Sequence, residues 1–425
     1  MLDKVKKIFQ IKEIRNKILF ILAVLVIFRL TANIPVPGVD VARLKSFFDD
    51  SQLLGMLDMF SGGGLRNISI VMLGVGPYIT ASIIMQLSTM IFPKMEKIHK
   101  EEGESGRQKF NMWTRWLTLP LAILQSFSMI TLLRSQGVIG SLDILQYVLI
   151  IFTITAGTIF LMWLGELITE KGLGNGVSLL IFAGIVSALP TTVNNLILTW
   201  NPAEILSYVG LTILSILTIG AIVFITEGQR NIPITFARQL RGGKAVSGGT
   251  SNLPLRVNMA GVIPIIFAMS IMLFPNVIAS FLVNSSNEWL AKSASIVADL
   301  MANQWIYGGL YFLLVVAFTY FYTAVTFNPQ KVAENLQRQG GFISGIRPGK
   351  PTMDYLNYIV NRITLTGASF LGLVAVLPFI IQGLTGIQTI TVGGTGILIV
   401  VSVVMETMKQ IEAQLVMRDY DKLDV

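Results

Sequence analysis

The 425-residue sequence contains no cysteine and only one histidine, His99. Without cysteine the chain cannot form a disulfide or use a thiol as a nucleophile. One imidazole is too few for a histidine-based metal site, because such sites usually need two or more. These absences exclude thiol catalysis and argue against a histidine-bound metal.

Charge is scarce as well. Charged residues make up 13% of the chain and hydrophobic residues 53%, whereas soluble domains carry about 25% charged residues. The sequence has no H-E-x-x-H, G-x-S-x-G or Walker A motif. The stretch "GLGNGVS" at 172–178 fits a helix cap far better than a phosphate nest. We therefore predict an integral membrane protein that is not an enzyme and needs no cofactor.

Long apolar segments recur along the chain. A membrane-spanning helix needs about 20 mostly apolar residues, whereas a membrane β-barrel shows short alternating segments instead. We predict an all-α membrane protein with ten spans, at 18–36, 68–92, 114–134, 145–168, 177–199, 206–226, 259–283, 306–327, 361–383 and 392–412.

The positive charges are distributed unevenly between the two sides of the membrane. Of the 32 Lys and Arg residues, 23 lie in the N-terminal segment, the even-numbered loops and the C-terminal tail, and 4 lie in the odd-numbered loops. Lys and Arg are enriched in cytoplasmic loops. Both termini are therefore predicted to be cytoplasmic, and topology rather than DNA binding explains most of the net charge of +8.

The stretch "FSGGGLRN" at 60–67 places three glycines ahead of the second predicted span, and Gly74, Gly76 and Pro77 interrupt the start of that span. Pro77 lacks a backbone N–H donor. Irregular backbone is tolerated in a bilayer only where protein or a water-filled cavity covers it. We expect this segment to fold back into the bundle, with the glycines as the hinge of a small apolar piece.

Aliphatic residues share a helical face in two of the spans. Val75, Ile79 and Ile83 follow an i, i+4, i+8 spacing, and Ile181 and Ile185 repeat it in the fifth span. Such stripes are typical of ordinary packing or lipid contact, although a ring of aliphatic side chains can also close a pore by excluding water. Spacing alone does not distinguish these alternatives.

Ionisable residues within the spans lie towards their ends. Arg29 is near the outer end of the first span, and Glu166 and Glu406 are near the cytoplasmic ends of theirs. Ion-coupled carriers usually hold such groups near the membrane midplane. A secondary transporter of a small solute, which ten spans and broken helices permit, is therefore the alternative rather than the main hypothesis.

Several long stretches resemble the SecY/Sec61-alpha family, whose members are central subunits of protein-conducting channels. The resemblance covers essentially the whole chain and keeps the family's order. It rests on "NIPVPGVD", "MFSGGGL", "LGVGPYITASIIMQL", "EKGLGNGVSLLIFAGIV", "LPLRVNMAGVIPIIFA", "SGIRPGKPT" and "GTGILIVVSVVMETMKQIEAQL".

The resemblance implies two pseudo-symmetric halves, spans 1–5 and 6–10, around a central pore in the bacterial cytoplasmic membrane. The halves cover 18–199 and 200–412, between a cytoplasmic N-terminal segment at 1–17 and a tail at 413–425. Such a channel passes unfolded secretory polypeptides across the membrane and releases membrane segments sideways into lipid.

The resemblance also assigns roles to residues. The plug, at about 56–67, includes Phe60, Gly62, Gly63, Gly64 and Leu65. Spans two, three, seven and eight form the lateral gate, where Ile83, Gln86 and Asn258 are placed; an ordinary helix–helix hydrogen bond is the alternative role for the two polar residues. The pore ring consists of Val75, Ile79, Ile181, Ile185, Ile266 and Ile399.

The long basic loops at 227–258 and 328–360 match loops that dock the SecA ATPase and the translating ribosome. Pro348 and Gly349 in "RPG" predict a turn beside the basic residue before them. An ordinary positive-inside loop is the alternative. The other implied partners are SecE, which clamps the halves, SecG at the periphery, signal sequences, nascent polypeptides and membrane lipid. The implied docking residues are Arg238, Arg241, Lys244 and Arg347.

Overall fold

The computed structural model describes most of the chain, and helices dominate it. In the first half of the chain the helices are α1 (Lys12–Thr31), α2 (Gly76–Ile91), α3 (Pro93–Lys100), α4 (Gly103–Ser135), α5 (Ile144–Glu170) and α6 (Gly176–Leu198). The described residues are 10–36, 61, 63–65, 68–100, 103–135, 143–198, 205–236, 239–241, 244–246, 249–282, 287–385 and 394–421.

The second half of the chain adds more helices and all the named strands. The helices are α7 (Ile205–Glu227), α8 (Ile263–Leu282), α9 (Glu288–Ala302), α10 (Gln304–Thr326), α11 (Pro329–Arg338), α12 (Lys350–Thr385) and α13 (Gly394–Asp421). The strands are β1 (Gln229–Phe236), β2 (Gln239–Arg241), β3 (Lys244–Val246), β4 (Thr250–Arg256) and β5 (Gly341–Ile343).

Each of the ten predicted spans overlaps one helix, but several boundaries differ. Helix α2 begins at Gly76 rather than at 68, because the residues before it form turns and Pro77 occupies its first turn. Helices α4 and α12 begin at Gly103 and Lys350, well before the apolar windows that start at 114 and 361. Hydropathy detects only the apolar part of a helix, whereas backbone hydrogen bonding continues into polar sequence.

The end of the last helix also differs from its predicted position, because the helix continues into polar sequence. Helix α13 runs to Asp421, through the predicted border between the second half and the tail at 412. By length and composition, four helices within the described residues could each cross a membrane. They are Ile144–Glu170, Tyr208–Glu227, Gln304–Arg338 and Lys350–Ile381.

The helices group as the two proposed halves. Helices α1, α2, α4, α5 and α6 make their main contacts with one another, and so do α7, α8, α10, α12 and α13. The main contacts between the groups are α2 with α8, α4 with α8, and α6 with α13. The two groups therefore meet along two seams.

A small sheet joins the two long loops, which sequence patterns did not predict. Strand β1 pairs antiparallel with β4 on one side and with β5 on the other, where Ile234 lies opposite Ile343. Ile232 and Ile234 lie on one face of β1 and are 2% and 4% exposed, and Ile232 packs in a small core shared with α12. The loop after α7 and the loop before α12 thus form one folded unit.

Candidate pore and its seal

The six predicted ring residues are all buried in one large hydrophobic cluster. They are contributed by α2 and the turn before it, by α6, by α8 and by α13. None exposes more than 8% of its surface. The members are Val75, Ile79, Ile181, Ile185, Ile266 and Ile399.

We call this cluster, which also contains residues of α1, α5, α7, α10 and α12, the ring cluster. It draws side chains from both groups of helices. The α2 and α6 residues come from the first group, and Ile266 and Ile399 come from the second. Aliphatic side chains have no hydrogen-bonding groups to hold water, so a closed ring of them presents a dry barrier. A separation of the two groups would therefore divide the cluster.

The segment before α2 folds back into the bundle, as its sequence predicts. Val36 N–H donates to the Ile68 carbonyl at 2.8 Å, and Ile70 N–H donates to the Ile34 carbonyl at 3.0 Å. These bonds tie the segment to the end of α1. Val71 is fully buried, so the protein covers this irregular backbone.

The described plug residues form a tight turn. Leu65 N–H donates to Ser61 Oγ at 2.9 Å, and Gly63 takes a left-handed φ of 79°. A Cβ at Gly64 would lie 2.8 Å from Ser69 Oγ. Gly64 therefore allows the backbone to pack closely against Ser69, and the glycines also give the backbone the conformational freedom that a hinge needs.

Leu65 does not lie in the ring cluster. It is 3% exposed and packs in a second cluster with residues of α4 and α5. Phe60 and Gly62 lie outside the described residues. The second cluster consists of Val36, Leu65, Ile68, Met72, Ile130, Leu133, Ile150 and Ile154.

Gly157 on α5 is a positioning residue that the sequence patterns missed. A Cβ at Gly157 would overlap the carbonyl oxygen of Ile70 and lie 3.3 Å from Val71 Cγ1. The segment before α2 therefore crosses α5 where the helix has no side chain. The only sequence signal was a small residue inside an apolar run, which does not reveal what approaches it.

The candidate gate residues lie on α2 and in the turn before α8, two helices that contact each other, but their hydrogen bonds are local. Ile83 is 3% exposed and belongs to the ring cluster. Gln86 Nε2 donates to Ser82 Oγ at 3.3 Å, and Asn258 Oδ1 accepts from Gly261 N–H at 2.9 Å. Asn258 thus stabilises the turn leading to α8, which favours a structural role for its amide.

The second polar atom of Gln86 is different. Its Oε1 is buried and finds no hydrogen-bond partner in the described part of the chain. A buried acceptor without a partner is costly in a dry interface. Helix α2 therefore carries one buried acceptor whose hydrogen-bonding capacity is unmet among the described residues.

The predicted turn in "SGIRPGKPT" is confirmed. Gly349 takes a φ of 97°, Arg347 is exposed, and Thr352 Oγ1 donates to the Arg347 carbonyl at 2.9 Å. Arg241 lies opposite Lys244 in the β2–β3 pair. Arg238 lies outside the described residues.

Sequence reasoning also missed a contact between the two groups at the seam of α6 and α13. Gln414 Nε2 donates to the Gly172 carbonyl at 2.6 Å, and Gln410 Oε1 accepts from Gly174 N–H. Lys17 Nζ donates to Gln414 Oε1 at 3.2 Å. We call Gln410 and Gln414 the glutamine latch, because they hold α13 to the loop between α5 and α6.

We expect Gln410→Met, which removes one hydrogen bond and keeps the side-chain volume, to lower the free energy of unfolding by about 1 kcal/mol. Gln414→Met removes two hydrogen bonds, to Gly172 and from Lys17, and should lower it further. Met408→Gln is the reverse exchange at a position of α13 that is 42% exposed, and it should change little. Thermal unfolding of the purified protein measures all three. Equal midpoints for the three variants would contradict the latch.

The glycine motif at 172–178, in the same loop, forms a helix cap rather than a phosphate nest. Asn175 Oδ1 accepts from Ser178 N–H at 3.2 Å, and Thr169 Oγ1 accepts from Gly176 N–H at 3.0 Å. Both bonds cap the start of α6. The glycine motif therefore serves as a helix start.

Comparison with known proteins places the chain in a family. The family model described as SecY matches residues 69–408. A curated relative from Corynebacterium glutamicum, named protein translocase subunit SecY, is 42% identical over 439 residues. The match covers 98% of this chain and 98% of the relative. The chain belongs to the SecY family.

Solved structures show the same fold at lower identity. One of them is a SecY protein whose plug domain is described as stabilising the closed state of the translocation channel. It has a TM-score of 0.64 at 21% sequence identity, and the match covers 94% of this chain and 92% of that chain. Sec61 in the canine ribosome-channel complex has a TM-score of 0.62 at 20% identity, with coverage of 94% and 92%.

Membership of the SecY family agrees with the prediction that the chain is a membrane protein and not an enzyme. None of these relatives supports the alternative of a small-solute transporter. One of the ionisable residues of the spans has a charged partner: Glu166 Oε1 lies 2.6 Å from Arg115 Nε, in an ion pair between α5 and α4. That carboxylate is engaged in a structural contact.

Proposed function

We propose that this chain is the channel subunit that passes unfolded secretory polypeptides across the bacterial cytoplasmic membrane and releases membrane segments sideways into lipid. The observation that carries the proposal is the ring cluster, to which both groups of helices contribute. The chain's relatives are translocase subunits, so the opening must admit an extended polypeptide.

The ring suits a channel for many different sequences. Its aliphatic side chains make no sequence-specific hydrogen bonds with a passing chain, and they can close around it to limit the leak of ions. Val75 is smaller than Ile79 and its neighbours by one methylene, which leaves the seal only slightly looser. The channel itself needs no cofactor, because a motor, the ribosome or the membrane potential supplies the energy.

The segment 56–67 acts as the plug that blocks the outer funnel. In the closed state, Leu65 of the turn packs beside α4 and α5, and Ile68 and Ile70, which follow the turn, are bonded to the end of α1. Displacement breaks few hydrogen bonds, and Gly62, Gly63 and Gly64 let the backbone turn. The plug thus adds a second barrier to the ring.

The seam between α2, α4 and α8 opens as the lateral gate, with α10 as its fourth helix. This seam lacks the glutamine latch, and its helix α2 carries the buried, unpartnered Oε1 of Gln86. Signal sequences and membrane segments reach lipid through this opening. The opposite seam, at α6 and α13, stays joined and serves as the hinge.

SecE clamps the two halves, SecG binds at the periphery, and the SecA ATPase or a translating ribosome docks on the cytoplasmic loops. The sheet of β4, β1 and β5 joins these loops and holds Arg347 on an ordered turn. The Sec61 relative was solved in a ribosome-channel complex. Both termini are cytoplasmic.

Translocation into vesicles tests this function. Vesicles containing the chain with SecE should protect a labelled secretory precursor from protease only when SecA, ATP and an intact signal sequence are all present. A precursor that stays protease-accessible under these conditions would contradict the proposal. Proton-driven uptake of a small solute by vesicles with the chain alone would support the carrier instead.

We expect Arg347→Ala to weaken ribosome binding in a salt-dependent way, because an exposed guanidinium on a fixed turn suits an RNA phosphate. Loss of one phosphate contact lowers the slope of log affinity against log salt by about 1. Binding of purified ribosomes at several salt concentrations measures the slope. Lys350→Ala, which removes a nearby exposed cation, is the control. If both variants change the slope by the same small amount, the loop is an ordinary positive-inside loop and Arg347 has no special role in docking.

A further inference from the structure

Helix α9 lies between the ends of α8 and α10, at the end of the bundle opposite the sheet. Its inner face packs against those two helices. The residues of that face follow a helical spacing, and Met301 contacts the ring cluster. Ala294 on the same face is 4% exposed. The face consists of Leu290, Ala294, Val297 and Met301.

A second stripe of α9 is apolar and uncovered. Trp289, Ile296 and Leu300 are spaced i, i+7, i+11, which places them on one line along the helix. Their exposed fractions are 74%, 53% and 43%. Three large apolar side chains in one line on a 15-residue helix call for an apolar partner.

A third stripe is charged and also exposed. Glu288, Lys292 and Asp299 are spaced i, i+4, i+11, which also places them on one line along the helix. The apolar stripe therefore runs between the charged stripe and the inner face. Helices that lie in the membrane interface have this arrangement, with one line in the acyl region and charged groups at the headgroups.

Helices α8 and α10 expose apolar side chains as well. Trp305 and Ile306, in the first turn of α10, are 64% and 43% exposed, and Ile278 on α8 is 54% exposed. These residues lie near the ends of two spans, where tryptophan is enriched at membrane interfaces. Exposed apolar side chains are thus also present on both helices that adjoin α9 in the chain.

We propose that α9 is an interfacial helix whose Trp289, Ile296 and Leu300 insert into the acyl boundary of the outer leaflet, while Glu288, Lys292 and Asp299 stay among the phospholipid headgroups. The proposal rests on the membrane arrangement described under the proposed function. Because α9 joins a gate helix, α8, to α10, it anchors the outer end of the gate to lipid.

The test uses the absence of native cysteine. Trp289→Cys, Ile296→Cys, Lys292→Cys and Asp299→Cys are each labelled with an environment-sensitive fluorophore in the full chain, reconstituted in vesicles of phosphatidylethanolamine and phosphatidylglycerol. Labels at 289 and 296 should emit at shorter wavelength and be quenched by lipids with nitroxides about 5–10 Å below the headgroups. Labels at 292 and 299 should be quenched by an aqueous collider.

A label at Leu217→Cys is the reference, since Leu217 is 64% exposed on α7. If lipid nitroxides quench the label at 217 but leave those at 289 and 296 as water-accessible as the label at 292, the stripe faces water or a protein and the interfacial role is wrong. If the label at 217 is also reached only from water, the spanning arrangement fails and with it the proposed function.

Discussion

Vesicles containing Ile181→Asn with Ile185→Asn are expected to leak small ions in the absence of any precursor. Both isoleucines are 1% exposed within the ring cluster. Carboxamides there need hydrogen-bond partners, and each buried polar group without one costs about 1–3 kcal/mol. Water that enters to form hydrogen bonds with the carboxamides wets the barrier. For each 1.4 kcal/mol by which the closed state is destabilised, the ratio of conducting to closed channels rises about tenfold.

Two controls separate wetting of the ring from general damage. Ile181→Val with Ile185→Val keeps the branched shape and costs about 0.5–1.5 kcal/mol for each methylene, so it should seal almost normally. Leu189→Asn introduces the same amide one turn further along α6, at a position 42% exposed. Ion flux measured with a trapped halide-sensitive dye compares them. The ring assignment is contradicted if the double asparagine variant leaks no more than Leu189→Asn.

Gly157→Val is expected to be the most destabilising single substitution proposed, because its Cβ overlaps the Ile70 carbonyl. That carbonyl cannot retreat easily, since Ile70 N–H is bonded to Ile34 and Met72 N–H to Ser69. Overpacking of this kind costs about 1–3 kcal/mol, and occasionally more. The segment before α2 must move away from α5, which also disturbs the plug.

The adjacent Ala156→Val is the matched control, because Ala156 is exposed on the same helix. Thermal unfolding of the purified protein should show a clear loss for Gly157→Val and little change for Ala156→Val. The vesicles should also leak with the first variant and stay sealed with the second. Similar midpoints for the two variants would show that the close approach at Gly157 does not hold the segment in place.

Local sequence patterns predicted the elements of this fold better than the contacts between them. The i, i+4 spacing placed Val75 with Ile79 and Ile181 with Ile185 on common faces, because helical periodicity is a local property. It could not bring those faces to Ile266 and Ile399, which are distant in the chain. The family resemblance supplied that grouping, and the structure places all six side chains in one cluster.

The features that escaped prediction depend on tertiary contacts. The β1–β5 pairing joins loops about a hundred residues apart, with Ile234 opposite Ile343. Nothing near Gly157 in the sequence indicates that another backbone crosses it. Gln410 and Gln414 resembled ordinary polar residues at a helix end, and only the fold shows the loop carbonyl and amide they meet.

The most direct test of the central claim is to find a translocating chain at the ring. Because the protein has no cysteine, Ile185→Cys introduces a single thiol. A secretory precursor with one cysteine is arrested midway across, in vesicles supplied with SecE and SecA. We expect a disulfide between the thiol at position 185 and the cysteine of the precursor, and we expect it to form only with ATP and an intact signal sequence. If the arrested precursor forms no disulfide at 185 but reacts at the lipid-facing control Leu217→Cys, the polypeptide does not pass through the ring.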